Sequence, residues 1–303
     1  MKTIKENIKN LMERIEFPAE AQQELLRAFD TIAADPVAAV WWKRLVAQYE
    51  ETVNCDYVKI LADAKALGEA LDIHEYTSHM LLSLAFGKKL LERYREKGVD
   101  ESIYYASMCD LRYKLEECRL IHGKVGTFVA SWFPGWFKMT RFALGRLQFE
   151  MTTLKDSYEV DGIILPEGAK AIDIHIPRTG TKMDHDAVLE AYRMAVEMFG
   201  AQFGDGPVVF TCWSWMLDPW HETVLSPNSN MVAFLRDFKI VQQNSYPNYS
   251  GVWRIFDCPF TGDIDALPYD TSLRRAYVDK MRSGEPTGWG RGLFIWRDGA
   301  ICH

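Results

Sequence analysis

No CxxC pair, no HxxxH or HxH pair and no block of lysine or arginine occurs anywhere in the 303 residues. Six cysteines (Cys55, Cys109, Cys118, Cys212, Cys258 and Cys302) are scattered singly. That spacing excludes a zinc ribbon or a thioredoxin-like redox pair, and it reads as buried thiols in a chain with no need of disulfides. Seven equally dispersed histidines give no metal-ligating pattern, so no metal is expected. A net charge of -7 without a basic stripe disfavours binding to a nucleic-acid backbone. The longest apolar run, "MLLSLAF" at 80–86, falls far short of the roughly 20 residues a membrane span needs. The lysine-bearing start "MKTIKENIKNLMERIEF" has no apolar segment behind it, so the chain reads as cytoplasmic. GxGxxG, Walker and GxSxG motifs are also missing, which removes dinucleotide binding, P-loop chemistry and a serine-hydrolase elbow from the leading readings.

What is present is ordinary globular composition, 48% hydrophobic and 25% charged, in a chain long enough for two domains. Up to about residue 122 the pattern is helical throughout. In "PAEAQQELLRAFDTIAAD", Pro18 sits where a first helical turn accepts proline, and Leu25, Leu26, Phe29 and Ile32 recur at helical spacing. Four more such segments follow, each closed by a turn residue, with no convincing strand. Between about 123 and 143 aromatics crowd around Pro134 and Gly135, and then the pattern alternates between strands and helices. Strands are expected at "RLQFEMT", "AIDIHIP", "PVVFTCWSW", "FKIVQQ", "GVWRIF" and "GLFIWRD", and helices at "HDAVLEAYRMAVEMFGAQF", "NMVAFLRDF" and "SLRRAYVDKMRS". The glycine-rich "GEPTGWGRGLF" reads as a loop. The fold class is therefore α+β in two domains: an all-α bundle at 1–125 and a mixed sheet with helices on its faces at 126–303.

One stretch gathers several chemical signals. In "AIDIHIP", Ile172, Ile174 and Ile176 share one face of a strand, while Asp173, His175 and Pro177 share the other. Proline has no N–H to give a neighbouring strand, so the ladder is expected to fail there and leave backbone groups for a ligand. The small cationic loop Arg178–Lys182 follows, and Asp184 or Thr181 caps the next helix, whose N-terminus is suited to an anion. His175 is placed to take a proton near neutral pH, and Glu150 ends a strand where a carboxylate can act as base. In "VVFTCWSWMLDP", Phe210, Cys212 and Ser214 share one face of a strand and Thr211, Trp213 and Trp215 the other, and the Cys212 and Ser214 face suits a cleft wall. In "LSPNSNMVAFLRDF", Ser229 or Asn228 reads as a helix cap.

"GRLQFE" (145–150), "IHIP" (174–177), "CWSWMLDP" (212–219) and "PNSNMVAF" (227–234), in that order after a helical half, resemble a family of bacterial acyltransferase-like proteins. These pair a helical N-acyltransferase N-terminal domain with a C-terminal domain of the GNAT (Gcn5-related N-acetyltransferase) fold. The resemblance implies that "AIDIHIP" and "VVFTCWSW" splay apart. The pantetheine arm of an acyl-thioester donor would then pair with the backbone at Ile174 and Ile176, and Arg178, Thr179, Gly180, Thr181 and Lys182 would cradle phosphate. It implies His175 or Glu150 as base, strand N–H groups as oxyanion donors, and Cys212 and Ser214 as groups touching the acyl chain or protonating the thiolate. "RTGTKM" departs from the usual Q/R-x-x-G-x-G/A loop by lacking its second small residue, which leaves open acyl-CoA or an acyl-phosphopantetheine on an acyl carrier protein. The implied function is acyl transfer from such a thioester to an unknown small-molecule amine. A non-catalytic GNAT-derived binding or regulatory module and a hydrolase built on Cys212 are the alternatives.

Overall fold

The computed structural model describes residues 1–303, which divide into two compact units, Met1–Ala143 and Leu144–His303. The first unit is helical: α1 (Lys2–Arg14), α2 (Ala19–Ala34), α3 (Pro36–Glu51), α4 (Tyr57–Glu69), α5 (Glu75–Glu96), α6 (Glu101–His122) and the single turn α7 (Pro134–Phe137). Local chemistry sets the ends. The Asp35 carboxylate accepts from the N–H groups of Val37 and Ala38 ahead of Pro36, Asp56 and Asp100 cap α4 and α6, and Gly123 closes α6 at φ 62°. The apolar run at 80–86 lies in α5, which buries Met80, Leu81, Leu82, Leu84, Phe86 and Leu90, as expected of a helix surrounded by its own bundle. No helix is long and apolar enough to cross a membrane.

The aromatic segment near Pro134 belongs to this unit. Tyr49 stacks on Phe86 at 4.4 Å, Phe137 packs edge-on against both, and the Tyr49 hydroxyl donates to the Phe137 carbonyl at 3.1 Å. These buried rings hold the segment in the helical core, so the division falls after Ala143, later in the chain than the residue 125 read from the change of pattern.

Strand β1 (Arg141–Leu144) carries the chain across that division. The second unit contains β2 (Leu147–Thr153), β3 (Tyr158–Val160), β4 (Ile163–Leu165), β5 (Lys170–His175), α8 (His185–Phe199), β6 (Val208–Ser214), α9 (His221–Val224), α10 (Asn230–Leu235), β7 (Lys239–Tyr246), α11 (Trp253–Phe256), α12 (Ser272–Arg282), β8 (Thr287–Arg297) and β9 (Ala300–Cys302). Its sheet runs β2-β5-β6-β8-β7, with β9 on β8. Only β5 and β6 pair in parallel, and α8 is the crossover that this requires. One face is filled by α8: Tyr192 sits 5.6 Å from Phe210 and 5.0 Å from Phe294, and those two rings stack at 4.7 Å.

The other face is covered in part by a hairpin. The hairpin β3–β4, turning through Asp161 (φ 51°) and Gly162 (φ 69°), buries Val160 and Leu165 over Ala171, Val209, Leu293 and Ile295. This Asp-Gly hairpin went unread in the sequence. Two other segments also differ from the sequence reading. "GVWRIF" forms the turn of α11 instead of a strand, and "GEPTGWGRGLF" enters β8 instead of remaining a loop. The alternating glycines of β8 give close access to one face of the strand. A Cβ at Gly292 would come within 2.6 Å of Phe238 Cβ, and one at Gly290 would collide with the Leu217 carbonyl.

Candidate active site

Beyond the hairpin, that face carries polar side chains. Antiparallel pairing sets Gln148 opposite His175 and Glu150 opposite Asp173, so all four side chains point the same way. His175 Nε2 lies 2.8 Å from Glu150 Oε1 and 3.9 Å from Asp173 Oδ2. The three residues are each partly buried, and one ligand atom from each falls within 4.8 Å of the others. The two residues named as alternative bases, His175 and Glu150, are thus in direct contact. Asp173 was placed on this face by alternation, but its membership of the cluster required the register.

The parallel ladder between β5 and β6 contains only the pairs Ile172–Phe210 and Asp173–Thr211. β5 continues to His175 and β6 to Ser214, so the two strands part beyond Asp173, four residues before Pro177. The opening anticipated from the proline therefore exists but starts earlier, and Ile174 and Ile176 lie on the parted side. Thr211 stands at the fork: it is 1% exposed, and its hydroxyl has no hydrogen-bond partner.

The loop after Pro177 is braced from below. Arg146 donates to the carbonyls of Pro177 (3.2 Å) and Thr181 (3.4 Å), and the Thr179 and Thr181 hydroxyls meet at 2.8 Å. Gly180 adopts φ 76° with open space around it, a conformation that favours glycine. Arg178 reaches Asp257 at 2.8 Å, and Asp257 also receives Arg274 at 2.8 Å. Lys182 is exposed and makes no ion pair. The cap of α8 is Asp184, whose carboxylate accepts from the Asp186 N–H, so this helix terminus already holds an anion of the protein's own. Any phosphate at this loop would be held by Arg178, Lys182 and the loop backbone instead of the helix end.

Cys212 and Ser214 lie on the opposite face, turned toward α8. Cys212 is 1% exposed, opposite Gly292, and burial pushes its thiol well above the ordinary range, with the negative charge of Asp173 adding to the effect. Such a sulfur stays protonated and unreactive, and no histidine contacts it, which removes the support for a Cys212 hydrolase. The Ser214 hydroxyl accepts from the Met216 N–H at 3.1 Å, a local cap. Ser229 caps α10, as its position suggested. Sequence reasoning missed the aromatic and cationic residues of the open face. Trp213 and Trp289 lie 6.1 Å apart, and Arg291 lies over Trp213 at 5.3 Å. The signal available was the two-residue alternation of "GWGRG", obscured by its glycines.

Comparison with known proteins accords with this architecture. Residues 6–139 match the model of the N-acyltransferase N-terminal domain, and residues 142–294 match that of the GNAT-like C-terminal domain. No curated protein matches the chain. Among solved structures, an acyltransferase in complex with decanoyl-CoA and teicoplanin is 21% identical, over 96% of this chain and 88% of the other, with a TM-score of 0.75. An acyltransferase with decanoyl-CoA alone is 19% identical over 94% and 86%, with a TM-score of 0.74. A third, with CoA and 10C-teicoplanin, is 21% identical over 94% and 86%, with a TM-score of 0.73. At these identities the likeness establishes the fold. Since the two family models together span both units of the chain, it belongs to the acyltransferase family that joins an N-acyltransferase N-terminal domain to a GNAT-like C-terminal domain.

Proposed function

We propose that this protein is an N-acyltransferase that moves an acyl group from a coenzyme A thioester to an amine, with the fork between β5 and β6 as the observation that carries the reading. A strand edge released beside a proton-handling pair suits a thioester arm: the arm's amides complete the ladder that β6 abandons at Thr211, and the reacting carbon arrives next to Glu150 and His175. CoA thioesters in the structural neighbours favour CoA over an acyl carrier protein as the donor.

In the reaction, the amine nitrogen attacks the thioester carbonyl. The oxyanion that forms is held by strand N–H groups at the fork, near Ile174. The hydrogen-bonded pair Glu150–His175 takes the proton the amine releases, the C–S bond breaks, and the sulfur leaves as a thiolate that regains a proton from the same pair. Cys212 and Ser214 face α8, so neither serves that step here. Arg178, Thr179, Gly180, Thr181 and Lys182 hold the pyrophosphate, and Arg178 exchanges Asp257 for it.

The test is to incubate the full chain with decanoyl-CoA and a panel of amines, following free thiol release and the mass of the acylated product. Acylated amine formed in step with CoA is expected. Tight acyl-CoA binding without thiol release from any amine would replace the enzyme with a non-catalytic binding module.

A further inference from the structure

Acyl transfer by these groups leaves Arg291 without a task. It lies in β8 opposite Trp213, and alternation puts its side chain on the same face as Asp173 and His175. It is partly buried, yet it makes no ion pair and no hydrogen bond; it lies over the Trp213 ring, 5.3 Å from the centroid, and its charge also acts on the Tyr158 hydroxyl of β3. Other arginines of this unit are answered: Arg178 and Arg274 by Asp257, Arg236 by Glu222, and Arg297 by Asp161. A guanidinium carries five N–H donors in a planar fork that matches a carboxylate, and partial burial without an acceptor is costly. The fork of Arg291 is therefore vacant of any protein oxygen.

The guanidinium lies over a ring borne by β6, the strand between β8 and β5; β5 carries Asp173 and His175, and Glu150 stands beside them on β2. β6 runs between β5 and β8, so the carboxylate cluster and the guanidinium lie on either side of it. Neighbouring strands are about 4.8 Å apart, so β5 and β8 are roughly 10 Å apart at the backbone.

We infer that Arg291 receives a carboxylate of the acceptor, so the acceptor is an amino-carboxylate of the α-amino acid class, with its nitrogen directed at Glu150 and His175. This rests on the acyl-transfer reading and narrows it: the acceptor's carboxylate is fixed by a bidentate guanidinium, and its amine is deprotonated by the Glu150–His175 pair.

The experiment offers the full chain the twenty standard L-amino acids and the amide of each, with decanoyl-CoA as donor. Thiol release is followed, and thermal shift in the presence of CoA gives a readout of binding that needs no turnover. At least one acid is expected to exceed its amide in kcat/KM by about ten- to a hundredfold, mostly through KM, as a charge-assisted hydrogen-bonded pair supplies. Arg291→Gln should erase the difference between acid and amide, and Arg291→Lys should restore only part of it, because an ammonium cannot bind in bidentate fashion. Acids and amides that react equally, or phosphoethanolamine outperforming every amino acid, would overturn the carboxylate assignment while leaving acyl transfer standing. Thiol release with no acceptor would sink acyl transfer instead, and the acid-against-amide thermal shift would then decide Arg291 alone. Because the acid-against-amide comparison is made on the unmodified protein, a variant that fails to fold does not weaken it.

Discussion

Two arginines lying over aromatic rings show how differently the two units use the same residues. In the helical unit, Arg93 sits 4.3 Å from the centre of the Tyr49 ring, 8% exposed, and one of its Nη atoms donates to the carbonyls of Tyr49 and Glu50. In the sheet unit, Arg291 sits 5.3 Å from the centre of the Trp213 ring and finds no oxygen at all. The first arginine staples a core, since its charge is matched by backbone dipoles of the protein itself. The second has its charge unmatched by any protein acceptor, which is what assigns it to a carboxylate of the acceptor. The same contrast runs through the ionisable groups: burial pushes the hydroxyls of Tyr49, Tyr94 and Tyr104 up, so they remain neutral packing residues, whereas Glu150, Asp173 and His175 share a half-open face. Chemistry is found where polar groups are held close together without being sealed in.

Replacing Glu150 by Gln puts that contrast under the heaviest strain. Thioester turnover should fall by about 10²- to 10⁴-fold, the usual contribution of a positioned acid or base, while urea unfolding shifts by no more than about 0.5 kcal/mol. Lost stability with retained turnover would make the carboxylate structural, like the helical unit's buried groups. Trp42→Ala tests the opposite pole. Trp42 is fully buried and meets Phe29 edge-on at 6.2 Å, so its truncation should cost about 3–5 kcal/mol in denaturant unfolding.

A smaller effect concerns His221, which is 0% exposed and 2.8 Å from the Tyr277 hydroxyl; burial holds its imidazole down at about 4. The unfolded chain takes up this proton below about pH 6.5 and the folded chain only near 4, so acidification through that window favours unfolding. At pH 5 the loss amounts to about 2 kcal/mol. His221→Gln should remove that part of the difference between unfolding free energies measured at pH 7 and pH 5. The smallest expected effect is a pair of opposite signs. The Ser107 hydroxyl accepts from the Ala143 N–H at 3.0 Å, so Ser107→Ala should cost about 1 kcal/mol or somewhat more. Thr211→Val removes a buried hydroxyl without a partner and should gain about 1 kcal/mol in the same assay. A loss on Thr211→Val would show that its hydroxyl is satisfied within the folded chain.

Much of the frame was legible from local pattern. Apolar residues at helical spacing and closing turn residues marked the helices of the first unit, and "AIDIHIP" declared by alternation which of its residues face the core. The aromatic segment at 130–137 misled because crowded rings look alike whether they close one core or open the next; Tyr49 and Phe86 decided the matter. The strand through Gly288, Gly290 and Gly292 was illegible because glycine carries no strand preference, and the need for it comes from Leu217 and Phe238, far away in sequence.

By itself, then, the sequence determined which side chains share a strand face, where the helices start and stop, and that a helical half precedes a mixed-sheet half, since each of these follows from periods of 3.6 and 2 and from caps a few residues away. Tertiary structure alone decided that Glu150 stands opposite Asp173, that the ladder opens at Thr211 rather than at Pro177, and that Arg291 shares the cluster's face of the sheet over Trp213. Register is the physical reason: a slip of one residue between β2 and β5 would turn Glu150 to the other face without changing a single local preference, so only packing on both sides of the sheet could choose it.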